Sequence, residues 1–205
     1  MAVKIRLTKN ELKRQKDVLK RLQRYLPTLI LKKQQLLAEI RRIQDKMEVA
    51  REERARYEAA VHEWAGVFSD PIDVGALFSV KDVITSMTNI AGIDIPVFED
   101  VTFDRVEYDL LDTPLWVDSG IRAAEFVAAK VALMGVLQQQ QDIVKEELRV
   151  TVQRINLFEK IKIPETKEAI RKVRIFLGDV QTADVVRGKI SKANLERKKE
   201  EGGAQ

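Results

Sequence analysis

Residues 131–177 read VALMGVLQQQQDIVKEELRVTVQRINLFEKIKIPETKEAIRKVRIFL, and the reading of this stretch decides the fold. Leu137, Val144, Leu148, Ile155 and Phe158 stand three, four or seven residues apart, with Gln141 and Thr151 filling the gaps. Side chains so spaced line one face of a helix and form a seam against another helix. The stretch is too long for an ordinary globular helix and too charged to span a membrane.

Working outward, the partner for this seam lies at the other end of the chain. From Ile5 to Trp64, alternating steps of three and four pick out Ile5, Thr8, Leu12, Gln15, Leu19, Leu22, Leu26, Leu29, Lys33, Leu36, Ile40, Ile43, Met47, Ala50, Arg54, Tyr57, Val61 and Trp64. All but Thr8, Gln15, Lys33 and Arg54 are apolar, a heptad repeat that calls for left-handed supercoiling. Sixty residues of helix would reach on the order of 90 Å. Thr8 with Glu11 has the spacing of a capping box. Pro27 breaks the pattern of good helix formers, and a kink buried against a neighbour is expected there.

Between the two seams the character changes. Residues 67–117 hold Pro71, Pro96 and Pro114 and lose the three–four spacing. A short helix is expected near 80–87. Ile93, Ile95 and Val97, then Val101, Phe103, Val106 and Tyr108, read as two strands of a hairpin separated by Glu99 and Asp100. A two-stranded hairpin needs support, so it should lie on the helices or on another subunit. Asp118 or Ser119 would cap the helix that follows. In that helix Pro164 either kinks the rod or opens a new first turn. Gly178 and Gly188 weaken what comes after, and SKANLERKKEEGGAQ should fray. The fold class expected is mainly α: a long antiparallel two-helix coiled coil (1–66 and 118–193), a central α/β insert (67–117) and a flexible polar tail (194–205).

Composition agrees. Charged residues are 33% and aromatics 6%, which suits helices packed in pairs better than a thick core. The chain has no cysteine and one histidine, His62, so disulfides, thiol chemistry, multi-histidine metal sites and a Ser-His-Asp triad are all excluded. Adjacent carboxylates such as Glu52 and Glu53 point about 100° apart on a helix and share no substrate. No phosphate-cradling glycine motif occurs. No catalytic, cofactor-binding or metal-ligating residue is assigned. The start has no apolar core of a signal peptide, so a chain outside the membrane is expected.

The net charge of +4 sits mainly at the two ends. Lys4, Arg6, Lys9, Lys13, Arg14, Lys16, Lys20, Arg21 and Arg24 crowd the first, and Arg187, Lys189, Lys192, Arg197, Lys198 and Lys199 the second. In an antiparallel hairpin these clusters would meet at one tip, which wants an acidic partner. Trp64 and Trp116 bracket the insert and are expected to pack where it joins the helices. A coiled-coil scaffold or adaptor would explain the seams as well. A nucleic-acid arm would explain the basic ends but lacks interleaved aromatics.

QRINLFEKIKIPETKEAIRKVRIFLGDVQTADVVRGKISKA, residues 153–193, resembles the C-terminal signature of the D subunit in V-type and A-type ATPases. The residues carrying it are Arg154, Ile155, Asn156, Leu157, Glu159, Ile163, Pro164, Ile170, Arg171, Val186, Arg187 and Lys189. LTKNELKRQKDVLKRLQRYLPTLILKKQQLLAEI is similar to that family's basic-leucine opening, with Leu31, Lys32 and Gln34 in its L-K element. The resemblance implies a non-catalytic central-stalk rotor subunit passing torque between the catalytic ring and ion translocation in the membrane. Its implied partners are the catalytic and regulatory ring subunits, the F subunit of the stalk and the membrane-side rotor connector. Neither nucleic acid nor membrane insertion is implied, and the place is the cytoplasm, peripheral to the membrane. Partner contacts are then expected at Arg187, Lys189, Lys9, Lys13 and Arg14 on the tip, and at Ile95, Val97 and Phe103 on the hairpin.

Overall fold

A computed structural model describes residues 6–65, 74–109 and 113–202. Its elements run α1 (Lys9–Ala65), a 3-10 turn (Val74–Ala76), β1 (Phe78–Ile90), β2 (Ile93–Arg105), α2 (Val117–Asn156), a π-turn (Leu157–Lys162) and α3 (Ile163–Gly202). Contacts divide the chain into two compact units, residues 31–152 and residues 1–30 with 153–205.

In the unit of residues 31–152 the seam closes as a core. Leu36, Ile40 and Ile43 of α1 cluster with Leu137 and Val144 of α2, flanked by Met47, Leu133, Ile143 and Leu148. Two ion pairs join the helices: Lys32 Nζ donates to Glu147 Oε1 at 2.7 Å, and Lys130 Nζ to Glu53 Oε2 at 2.6 Å. Rising numbers in α1 meet falling numbers in α2, so the two run antiparallel. Beside the second pair the Tyr57 and Phe126 rings lie 4.2 Å apart, with Lys130 over Phe126. On α1 every seam position expected from Leu12 to Val61 is buried or half-buried.

The insert differs from its expected form. Residues 80–87 are strand, not helix, and belong to β1. The two short strands expected after Ile93 are one strand, β2, with Glu99 and Asp100 inside it. The hairpin turns instead at Ala91 and Gly92, both at positive φ (53° and 78°), the hand that matches strand twist in a two-residue loop. Asn89 locks the turn: its Oδ1 accepts the Gly92 N–H at 3.1 Å and its Nδ2 donates to Asp94 Oδ1 at 2.7 Å. Register runs from Ile90 opposite Ile93 to Phe78 opposite Arg105, with irregularities beside Lys81 and Glu99. Ile95 seats β2 in the helical core at 1% exposure, and Gln140 Nε2 donates to the Pro96 carbonyl. At the far end Arg105 makes a forked pair to Glu125 (2.6 and 2.7 Å), and Tyr108 OH donates to Asp118.

The entry to α2 corrects the expected cap. Helical bonding starts earlier, with Gly120 N–H donating to the Trp116 carbonyl, so Asp118 lies within the first turn. There its charge suits the helix dipole. Gly120 leaves room for the Trp116 ring, which a Cβ would meet at 3.3 Å. The side chain of Trp64 lies outside the described residues.

In the unit of residues 1–30 and 153–205, Thr8 Oγ1 accepts the Glu11 N–H at 3.2 Å as expected, while the Glu11 carboxylate accepts from Gln15 rather than closing the box. α1 continues unbroken through Pro27. Pro27 is exposed rather than buried, which leaves the carbonyl that its ring cannot serve, that of Gln23, open to water. In the same unit Ile155, Thr166, Ala169, Ile170 and Val173 are buried. Pro164 falls in the first turn of α3, where a missing N–H costs little. α3 runs through Gly178 and Gly188, and its helical bonding continues to Gly202, beyond the point where fraying was expected.

Three outcomes check this account. Ala91 carries the strain of a Cβ at positive φ, so Ala91→Asn should stabilise the protein by about 1 kcal/mol, read from urea unfolding. Thr151 Oγ1 is buried with no hydrogen-bond partner among the described residues, and Thr151→Val should stabilise by roughly 1 kcal/mol in the same assay. The hydrogen bond from Lys130 holds the Glu53 carboxyl below its ordinary 4.5, so this pair stabilises the fold above that pH and ceases to do so as acid protonates Glu53. The melting-temperature gap between wild type and Lys130→Met should therefore narrow from pH 7 to pH 3; a constant gap would refute the link.

Candidate interaction surfaces

The residues expected at the tip do not all come together. Lys9, Lys13 and Arg14 are exposed at the start of α1, Arg14 loosely paired with Glu11 at 3.8 Å. Arg187 and Lys189 lie far along α3. The seam on α3 runs Thr166, Ile170, Val173, Leu177, and burial ends at Leu177: every residue from 178 to 197 is exposed. Arg187 lies ten residues beyond Leu177, on the order of 15 Å of helix. Among the described residues the second basic cluster therefore lies on α3 beyond its last half-buried position, Leu177. Lys4 and the side chains of Lys198 and Lys199 lie outside the described residues.

The sequence explains why the pairing stops. Continued at the same spacing, the seam of α3 passes through Val180, Asp184, Arg187, Ser191 and Asn194. Apolar positions give way to an ion pair, Asp184 Oδ1 to Arg187 Nη1 at 3.5 Å, which needs no helix beside it. The apolar side chains that remain, Val185, Val186, Ile190 and Leu195, are out of phase with that seam and between 50% and 62% exposed. A 3.6-residue helix with no apolar stripe to bury has only weak reason to persist alone. Heptad reading by itself does not single out these four residues. Their signal, legible once the seam is extended on paper, is apolar character in the wrong heptad positions beside Arg187 and Lys189.

The hairpin residues separate too. Ile95 is committed to the core and leaves no surface for a partner. Phe103 is half-buried with its ring edge-on to Phe78, 6.0 Å between centroids. Val97 lines a cleft of about 420 Å³ with Phe98, Val49, Ala50, Leu133 and Leu137. The exposed apolar side chains of the hairpin are on β1 instead: Val80, Val83, Ile84 and Met87, the last 67% exposed. β1 is paired on one side only among the described residues.

Among the described residues no three histidine, cysteine or carboxylate side chains gather as a metal site, and no helix is long and apolar enough to cross a membrane. His62 is exposed near the end of α1.

Comparison with known proteins agrees over nearly the whole length. The family model for the D subunit of ATP synthase matches residues 11–193. The V-type ATP synthase D subunit of Borreliella burgdorferi is 45% identical over 195 residues, covering 95% of this chain and 96% of that protein. Those of Chlamydia muridarum and Chlamydia pneumoniae are 40% and 36% identical, each over 98% of this chain and covering 100% and 98% of their own lengths. With helical seams in its N- and C-terminal segments, a hairpin between them and this match over nearly its whole length, the chain belongs to the ATP synthase D-subunit family.

Proposed function

We propose that this chain is the non-catalytic central-stalk shaft of a V/A-type rotary ATPase, passing torque between ATP hydrolysis or synthesis in the catalytic ring and ion translocation in the membrane rotor. The observation that carries the reading is the end of α3, where paired helix gives way to a single exposed helix bearing apolar and basic side chains. Such a segment is suited to a socket made by other subunits. In this reading residues 178–202 enter the ring of catalytic and regulatory subunits, with Arg187 and Lys189 facing acidic loops and Val186 and Ile190 giving apolar contact. Residues 67–117 face the membrane-side rotor connector, with the F subunit alongside. Residues 9–65 and 118–177 supply the paired helices of the shaft between. The protein then resides in the cytoplasm, peripheral to the membrane. A paired helix resists torsion because unwinding would expose the seam, at about 25 cal/mol for each Å² of apolar surface.

The test is ATP turnover of the reconstituted complex. Arg187→Glu with Lys189→Glu should slow or uncouple hydrolysis several-fold, and the loss should ease at higher ionic strength if charge is the cause. Val186→Ser with Ile190→Ser should lower turnover without that salt dependence. Assembly and turnover unchanged in both variants would defeat the reading of this helix end as the ring contact. Recovery of the tagged protein from its own cells without a nucleotide-binding pair would defeat the shaft reading itself.

A further inference from the structure

The seam on the C-terminal side contains one surplus residue. From Leu137 it proceeds Gln141, Val144, Leu148, Thr151, Ile155 and Phe158, in strict steps of four and three. From Ile163 it proceeds Thr166, Ile170, Val173 and Leu177, again three and four. Between Phe158 and Ile163 the step is five. On a regular helix the fifth residue falls about 140° round from the first, which would turn the whole of α3 off its seam. α1 contains no such step from Leu12 to Val61, so the helix opposite does not compensate.

The backbone absorbs the mismatch where it arises. Residues 157–162 form a π-turn, and the Ile163 N–H donates to the Phe158 carbonyl five residues back instead of four. The wider turn takes up the extra residue and returns Ile163 and Thr166 to the buried side. Pro164, with no N–H to give, follows directly. Thr166 Oγ1 donates to the Lys162 carbonyl at 2.7 Å, anchoring the exit. The turn itself is thinly held: none of its residues is buried, and Leu157 and Ile161 are 41% and 47% exposed. Low burial and a locally irregular ladder are the marks of a segment that opens more readily than its surroundings.

We infer that residues 157–162 are a yielding segment built into the helical pair, where the surplus residue can shift position along the helix and the backbone opens locally while the flanking seams stay closed. The inference deepens the shaft reading by naming where the shaft would yield, yet it rests on seam spacing and burial, and its test needs no ATPase.

The test is hydrogen exchange by mass spectrometry on the full chain, with Lys160 deleted as the variant. Deletion turns the five-residue step into four and makes the spacing regular from Leu137 to Leu177. In wild type the amides of 157–163 should exchange roughly tenfold or more faster than those of 36–43. In the deletion variant they should slow to that level, with helix content kept and Thr166 to Val173 still protected. Lys160→Ala, which keeps the chain length, should leave exchange fast. Equal protection of 157–163 and 36–43 in wild type would overturn the inference. So would a deletion variant in which residues 166–173 lose protection, since the surplus residue would then be needed for register rather than stored.

Discussion

Everything in this molecule depends on one requirement, that apolar side chains three and four residues apart find a second helix to cover them. Leu36, Ile43 and Val144, at no more than 1% exposure, show the requirement met. Each such side chain contributes on the order of 1.5–3 kcal/mol when fully buried. The numerous i,i+3 and i,i+4 ion pairs along the outer faces, such as Arg51 with Glu48 and Arg149 with Glu146, are worth a few tenths of a kcal/mol apiece and decorate rather than hold the helices. The two pairs that bridge helices, Lys32 with Glu147 and Lys130 with Glu53, fix direction and register more than they add stability. Even the hairpin answers to the seam, because Ile95 enters the same cluster that the helices form.

Polar side chains buried in or beside the seam differ in how they are accommodated. Glu39 is nearly buried but reaches Arg42 at 3.1 Å. Gln140 is satisfied by the Pro96 carbonyl and so ties β2 to α2. Thr151 finds no partner among the described residues. Further on, Asp184 and Arg187 occupy seam positions and release the helix from any need for a neighbour. The change along α3 from apolar to charged seam positions therefore converts a paired helix into an exposed one without a loop. That exposed end is the feature on which the proposed shaft function turns.

The helices were legible because their signal repeats. The α1 seam recurs so many times that Lys33, Arg54 and even Pro27 could not obscure it; the two charged positions are half-buried, as long aliphatic stems allow, and Arg54 pairs with Glu58 at 2.7 Å. The hairpin was only half legible. Its turn lies at Ala91–Gly92, a pair weaker than Asn-Gly as a turn signal, whereas the acidic pair Glu99–Asp100 reads like a break but sits at an irregular point of β2. Residues 80–87 place Val83, Ile84 and Met87 at spacings that fit a helix face as well as a strand, and cross-strand pairing with β2 decided between them.

Heptad spacing, charge and the order of elements were determined by the sequence alone, because a seam must be buried wherever it occurs. The family resemblance was equally a property of the sequence, carried by the motifs around Ile163–Pro164 and Val186–Arg187. What only the tertiary structure decided was how far each helix is matched. It set the buried fate of Ile95, the exposure of residues 178–197, and the π-turn that reconciles a five-residue step with an uninterrupted partner. These outcomes depend on which atoms of a distant segment lie opposite, and spacing within one helix holds no record of where its neighbour ends.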